Sequence, residues 1–461
     1  MNSTWANKAA FILICVIVIV STLFYGTVHQ PIIALFYISV TTLLMLWALD
    51  AYLTGETRIS RELLQVPLVL LALYALFQTI PFGAFNDAGV EFVPRTISLD
   101  PFWSKVTALH ILALSILFAV SLSTIDRAKR IDKIVKVITI FGFAYAFFAI
   151  LQSVLSPTKI YGIYERQYAA PYGSFVNRHN FAAYINMTMA LPLGMLFAGA
   201  VAKDKKLLYI TSVALMGVSL LLSGSRGGLV SFAAMILVIL IFTTGTKSRK
   251  KLLIKGLLTA GLGIAILAGS VFVGGDTSLS RLTGDQGDKK GISSDRAQIW
   301  KITMLVIGDN LPFGAGLGAF GRAYTAHDDQ SGLANVEQAH NDYLQIVADA
   351  GIPGILLGAF FLFLLLRMGL RSVKIENNFR RAAALGAFAG CVAVLVHSLF
   401  DFVLHVTAVS ILFIILMTIL AACQVKYLDD IIDPEERQSK KKRRSASVRS
   451  ISKARTDLVR S

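Results

Sequence analysis

Val336-Glu337-Gln338-Ala339-His340-Asn341-Asp342-Tyr343-Leu344-Gln345-Ile346-Val347-Ala348-Asp349-Ala350-Gly351-Ile352-Pro353-Gly354 closes the longest polar segment of the chain and opens an apolar run over 352–370. Leu344, Val347 and Ala348 fall on one helical face, and Gly351 with Pro353 reads as a stop signal. A helix is expected here, with His340 in its first turn beside Asn341, Asp342 and Tyr343. A polar helix abutting a membrane-length apolar run is the junction of a loop and a transmembrane span.

The same pattern holds across the chain. Of its 461 residues 55% are hydrophobic and 16% charged, well below the roughly one quarter charged that soluble domains carry. Apolar runs are expected to cross a bilayer at 8–26, 30–51, 63–81, 105–123, 133–155, 180–201, 206–223, 228–244, 252–273, 352–370, 381–399 and 406–424. The fold class is an all-α polytopic membrane protein with about twelve spans, and the period-2 pattern of a membrane β-barrel is absent. Residues 1–26 have no small-residue cleavage site and read as the first span, not a signal peptide. Basic residues cluster after every even-numbered span: Arg58 and Arg61, then Arg127 to Lys133, Lys203 to Lys206, Lys247 to Lys251, and Arg367 to Lys374. By the positive-inside rule both termini are cytoplasmic. The membrane-embedded unit is 1–436, with a long periplasmic loop over 274–349 between spans 9 and 10. Residues 437–461 form a basic cytoplasmic tail. That tail accounts for much of the net charge of +16; contact with anionic lipid headgroups explains it better than nucleic acid does. The three cysteines all lie in apolar runs and define neither a disulfide nor a zinc site.

The unusual polar residues gather on the outer face. Asn177-Arg178-His179-Asn180 opens span 6, and Ser223-Gly224-Ser225-Arg226-Gly227-Gly228 joins spans 7 and 8. Asp295-Arg296 begins a loop helix over 295–306 that Ser294 is expected to cap. Arg322 follows a Gly-rich turn that lacks the Lys-Ser/Thr ending of a phosphate-binding P-loop. His340 follows, and His397, Asp401 and His405 surround the end of span 11. An isolated arginine at a membrane edge commonly snorkels to headgroups. Several together on the face that disfavours them form a site for a polyanion, most simply a diphosphate gripped by parallel hydrogen bonds. Beside such a site a histidine near its ordinary pKa serves as general base on a hydroxyl, with Asp401 orienting it or pairing an arginine. No metal motif is present, and no metal or cofactor is expected.

These segments resemble the O-antigen ligase family (the Wzy-C superfamily). The resemblance rests on His340-Asn341-Asp342-Tyr343-Leu344-Gln345 followed by Gly351-Ile352-Pro353-Gly354, on Ser225-Arg226-Gly227-Gly228, on Arg296 with Trp300, on His397-Ser398-Leu399-Phe400-Asp401-Phe402, and on Asn177-Arg178-His179-Asn180-Phe181. It implies a metal-independent, inverting glycosyltransferase of the bacterial inner membrane with its site on the periplasmic face. The implied donor is an undecaprenyl-diphosphate-linked glycan, with Arg226, Arg296 and Arg178 on the diphosphate. His340 is then the base on the acceptor hydroxyl, supported by Asp401, Tyr343 and Asn341. The acceptor is lipid A–core for a ligase, another lipid-linked glycan for a polymerase, or a protein for an O-oligosaccharyltransferase. A transporter of an anionic solute is the alternative of another class, disfavoured because transporters place polar groups at mid-membrane.

Overall fold

A computed structural model describes residues 4–87, 89–165, 170–243, 292–328 and 336–425. Helices dominate. α1 (Trp5–Leu23), α2 (Gln30–Thr54) and α3 (Gln65–Phe77) are followed by an antiparallel hairpin of β1 (Gly83–Asp87) and β2 (Val90–Arg95). α4 (Pro101–Thr124), α5 (Ala128–Leu155) and a short β3–β4 hairpin (Lys159–Ile160, Tyr164–Glu165) come next. Then come α6 (Arg178–Phe197), α7 (Lys206–Leu222), α8 (Arg226–Thr243), α9 (Ile292–Asn310), α10 (Phe320–Thr325), α11 (Asp342–Ser372), α12 (Asn378–His397) and α13 (Thr407–Ala422). Several starts are written in the sequence. Asp100 caps α4 ahead of Pro101, Asn177 caps α6, and Asn377 caps α12, each side chain accepting a main-chain N–H two or three residues on.

Among the described residues nine helices are long and apolar enough to cross a membrane, and α3 and α13 are shorter apolar helices. The twelve expected spans are therefore met in part. α3 has 13 residues and α13 has 16. At about 1.5 Å per residue both fall short of the roughly 30 Å hydrocarbon core. Every residue of α13 is buried, so its length is set by protein neighbours and not by lipid. The span expected at 252–273, the tail at 437–461 and parts of the 274–349 loop lie outside the described residues.

α6 and α12 form the centre. α6 buries every residue from Asn180 to Met195, and α12 buries Ala382 to Cys391 without interruption. Small residues allow this. A Cβ on Gly194 would lie 2.6 Å from Gly386 Cα, so the two backbones cross with no room for a side chain, as close packing in lipid requires. Against this core α2 turns exposed Leu35, Ile38, Leu44 and Met45 outward, the apolar surface expected to face hydrocarbon.

α11 is two helices in one. Gly351 (φ 57°, ψ −141°) breaks it, so the expected stop is present, but the chain resumes as helix at once. The break interlocks with the Gly-rich turn. A Cβ on Gly351 would lie 2.2 Å from Pro312 O, and one on Gly314 would lie 2.4 Å from Asp349 O. Ile352 N donates to Pro312 O at 2.9 Å, and Gly316 N donates to Asp349 O at 3.0 Å. Gln78, fully buried at the end of α3, closes the joint. Its Nε2 donates to Phe313 O and Asp349 O, each at 2.9 Å, and its Oε1 accepts from Leu317 N at 2.9 Å. One amide thereby ties two irregular segments together: it pairs Leu317 N, and it adds a hydrogen bond to Phe313 O and Asp349 O, which also accept from Tyr74 Oη and Gly316 N.

Candidate functional site

His340 does not lie in the first turn of its helix. It precedes the cap: Asn341 is the N-cap of α11, its Oδ1 accepting from Tyr343 N at 3.0 Å and Leu344 N at 3.1 Å. His340 itself has φ +51°, a left-handed backbone that few side chains adopt and that marks a position held by its surroundings. Three chain segments provide that hold. Trp300 Nε1 of α9 donates to Ala339 O at 3.0 Å. Gln345 Oε1 accepts from Ala339 N at 2.6 Å. The Phe402 ring meets the His340 ring edge-on at 4.8 Å.

Asp401 is the junction. It lies in the loop after α12, only 1% exposed. Oδ1 is 3.0 Å from His340 Nδ1, and Oδ2 accepts from Arg296 Nη2 at 3.1 Å. Phe402 N donates to Oδ1 at 2.9 Å. Burial alone would raise this carboxyl; the His340 hydrogen bond and the electrostatic interaction with His179, His340 and Arg296 outweigh it and hold the carboxyl well below the usual carboxylate range. An ionised carboxylate only accepts. Nδ1 of His340 therefore carries a hydrogen, which in the neutral imidazole leaves the lone pair on Nε2. Asp401 thus contacts the histidine and an arginine at once. Arg296 keeps capacity in reserve, because its Nε is buried with no hydrogen-bond partner. α9 runs Ile292–Asn310, so Ser294 falls inside it and does not cap it.

The two motifs around Arg178 and Arg226 are tied to each other and to this loop. Ser225 Oγ accepts from Gly228 N at 3.1 Å and shares a 2.9 Å hydrogen bond with His179 Nδ1. Gly227 packs against His397, whose ring lies 3.2 Å from where a Cβ would stand, with Phe400 at 3.3 Å. His179 in turn feels the charges of Asp401, Arg296 and Arg178. Arg226 opens α8 and is exposed, and no hydrogen bond or ion pair holds its guanidinium among the described residues. Arg322, exposed on α10, is not drawn into the His340–Asp401–Arg296 contacts. His327 pairs with Asp309 at 3.2 Å instead.

Asn341, Asp342 and Tyr343 clasp the Asp401 loop. Asn341 Nδ2 donates to Leu399 O at 3.1 Å, Asp342 N to Ser398 O at 2.9 Å, and Tyr343 OH to Leu395 O at 2.9 Å. Asp342 Oδ2 accepts from Leu404 N at 3.1 Å, and Oδ1 lies 2.8 Å from His405 Nδ1. The sequence reading assigned nothing to Asp342, Gln78 or Ser225. Asp342 sits in the quoted motif and was open to notice; the partners of Gln78 are 235 and more residues away and leave no local trace. Among the described residues no group of three or more His, Cys, Asp or Glu is placed to hold a metal ion.

A search of curated proteins gives no match to this chain. Residues 211–359, from α7 through the Gly351 break, match the family model described as O-antigen ligase. Arg226, Arg296, His340, Asn341 and Tyr343 fall within the matched stretch, while Arg178 and Asp401 lie outside it. That stretch, which carries the His340 segment and Arg296, is thus similar to the O-antigen ligase family.

Proposed function

We propose that this protein transfers a glycan from an undecaprenyl-diphosphate-linked donor to an acceptor hydroxyl on the periplasmic face of the inner membrane, most simply ligating O-antigen to lipid A–core. The match of residues 211–359 to the O-antigen ligase model supports the coarser reading, a glycosyltransferase-like membrane enzyme acting on glycan-linked lipids. The observation that carries the finer reading is Asp401, buried and bonded to His340 and Arg296 together. One carboxylate fixes the tautomer of the base and the position of an anion-binding arginine, so acceptor activation and donor binding share one reference point.

In the reaction, His340 Nε2 takes the proton of the acceptor hydroxyl as its oxygen attacks the anomeric carbon. The bond from that carbon to the diphosphate oxygen breaks, and undecaprenyl diphosphate departs with the electron pair. Attack opposite the leaving group inverts the anomeric configuration. Arg226, exposed at the start of α8, and Arg296, with its spare Nε, bind the diphosphate, with Arg178 as a further contact. Diphosphate is already a good leaving group, and arginine in place of magnesium stabilises its charge, so the reaction is metal-independent. Among the described residues the buried carboxylates and arginines, Asp50, Arg130, Asp349, Arg380 and Asp401, lie near helix ends, at the Gly351 break or in a loop. That distribution suits interfacial chemistry better than transport across the midplane.

The test is a reconstituted transfer assay in EDTA with lipid-linked glycan, with and without lipid A–core. Product that requires lipid A–core and disappears in His340→Ala supports ligation. A ladder of longer lipid-linked glycan without that acceptor makes the enzyme a polymerase. Solute uptake with no glycan transfer refutes the transferase.

A further inference from the structure

A second histidine–carboxylate pair lies on the same loop as the first. The loop from Ser398 to His405 carries Asp401, and α11 grips it on both sides. Upstream of Asp401, Asn341 Nδ2 holds Leu399 O and Asp342 N holds Ser398 O. Downstream, Asp342 Oδ2 takes Leu404 N, and Asp342 Oδ1 takes His405 Nδ1 at 2.8 Å. Among the described residues, the main chain and side chain of Asp342 thus reach opposite ends of the segment holding Asp401. It also stands two residues from His340. Any slip of the loop relative to α11 moves Asp401 against His340, and the bond that fixes the imidazole is lost or misaligned.

We propose that Asp342 and His405 are positioning residues of the transfer reaction: their ion pair sets the register between the Asp401 loop and α11, and so aligns the His340–Asp401 bond. This rests on the transferase reading given above. The groups facing His405 fit a charged pair. Asp342 and Asp349 face it from α11, and His110, which shares a 3.2 Å hydrogen bond with Tyr37 OH, faces it from α4. The His405 side chain is 38% exposed; the surrounding protein would lower its imidazole, but the Asp342 hydrogen bond and charge, with Asp349 beyond, raise it above its ordinary value of 6.5. The sign follows. The charged pair is fully present below the ordinary histidine value and is lost as pH rises through the higher folded-state value.

The experiment measures glycan transfer by the full chain in proteoliposomes across pH, for the wild type, His340→Ala, Asp342→Ala, His405→Ala and His405→Asn, with thermal unfolding of each. His405→Asn places an amide nitrogen near the position of Nδ1, keeping a hydrogen bond without the charge. Asp342→Ala and His405→Ala are expected to lower kcat about 10- to 100-fold, the cost of a small misalignment, with KM for the lipid-linked donor within about twofold. His405→Asn is expected to regain most of the rate at neutral pH and to lack the alkaline decline of the wild type. Unchanged kcat in folded Asp342→Ala and His405→Ala overturns the inference, as does a rise in KM alone. If the alanine variants fail to fold, His405→Asn decides: an alkaline decline that persists in it overturns the inference. Transfer by the wild type but not by His340→Ala upholds the transferase reading whatever these variants do. No transfer by the wild type refutes that reading and this one with it.

Discussion

Two carboxylates of this protein sit among cations, one on each side of the bundle. Asp126, between α4 and α5 on the face read as cytoplasmic, has Arg58, Arg127 and Arg130 at 3.5, 3.8 and 3.4 Å. Asp401 has His340 and Arg296 at 3.0 and 3.1 Å. The side chain of Asp126 is 25% exposed and that of Asp401 is 1% exposed. Two of the three partners of Asp126 are its neighbours in sequence; those of Asp401 come from 61 and 105 residues away. The ingredients are alike, but solvent screens the first cluster, and long-range packing fixes the second at hydrogen-bonding distance. Charge at a membrane edge becomes a candidate for chemistry when distant segments are needed to hold it.

Breaking the second cluster should have the largest effect. His340→Ala is expected to reduce transfer about 10²- to 10⁴-fold, the usual contribution of a general base, with expression and membrane insertion retained. Asp401→Asn should approach that loss, because an amide that donates to Nδ1 selects the wrong tautomer; single-turnover rates would check it. Arg296→Lys should weaken donor binding more than it slows the chemistry, since a point charge replaces a bidentate fork. Stability should respond to acid in one sense only. The contribution of Asp401 is fully present above its ordinary value of 3.8 and is lost as pH falls through its depressed folded value. Unfolding scans from neutrality down to about the ordinary carboxylate range should therefore show little loss from this group.

Smaller effects sharpen the contrast between the fixed scaffold and the exposed cluster. Gly386→Val must push α12 from α6 and should cost about 1–3 kcal/mol, seen as a lower unfolding temperature in detergent. Gln78→Leu leaves Leu317 N of the Gly-rich joint unpaired and removes one hydrogen bond each from Phe313 O and Asp349 O, which keep Tyr74 Oη and Gly316 N; it should cost about 1–3 kcal/mol, with activity falling in proportion to the folded fraction. Asp126→Asn should change stability by at most about 1 kcal/mol and leave transfer unchanged. A loss at Asp126 comparable to that at Asp401 would erase the distinction between the two clusters.

Most of the helical layout was legible because apolar runs of membrane length carry their own signal. Its errors fell at ends. α3 and α13 are shorter than their apolar stretches suggest; in α13 full burial in protein lifts the requirement to match lipid, whereas α3 keeps Leu70, Leu73 and Phe77 exposed and ends where Gln78 joins the Gly-rich turn. His340 sits before its cap, not after it, because Asn341 satisfies the first N–H groups and the histidine takes an uncommon φ that periodicity does not encode. Arg296, His340 and Asp401 were legible as residue types out of place on the outer face. That a single carboxylate joins them was not, nor was the service of Gln78 to segments more than 230 residues on, because neither leaves a local pattern.

The Gln78 joint has a consequence for biogenesis. Ribosomal synthesis delivers α3 long before the Pro312–Gly318 turn and the Gly351 break that use its amide. Until they arrive, the side chain of Gln78 lacks the partners that make its burial tolerable. The N-terminal helices therefore cannot reach their final packing as they emerge, and the contacts around His340 close only after residue 405 has been made. A nascent chain halted before that point would hold inserted helices and no assembled His340–Asp401–Arg296 cluster, which makes closure of that cluster one of the last events in the life of the newly made protein.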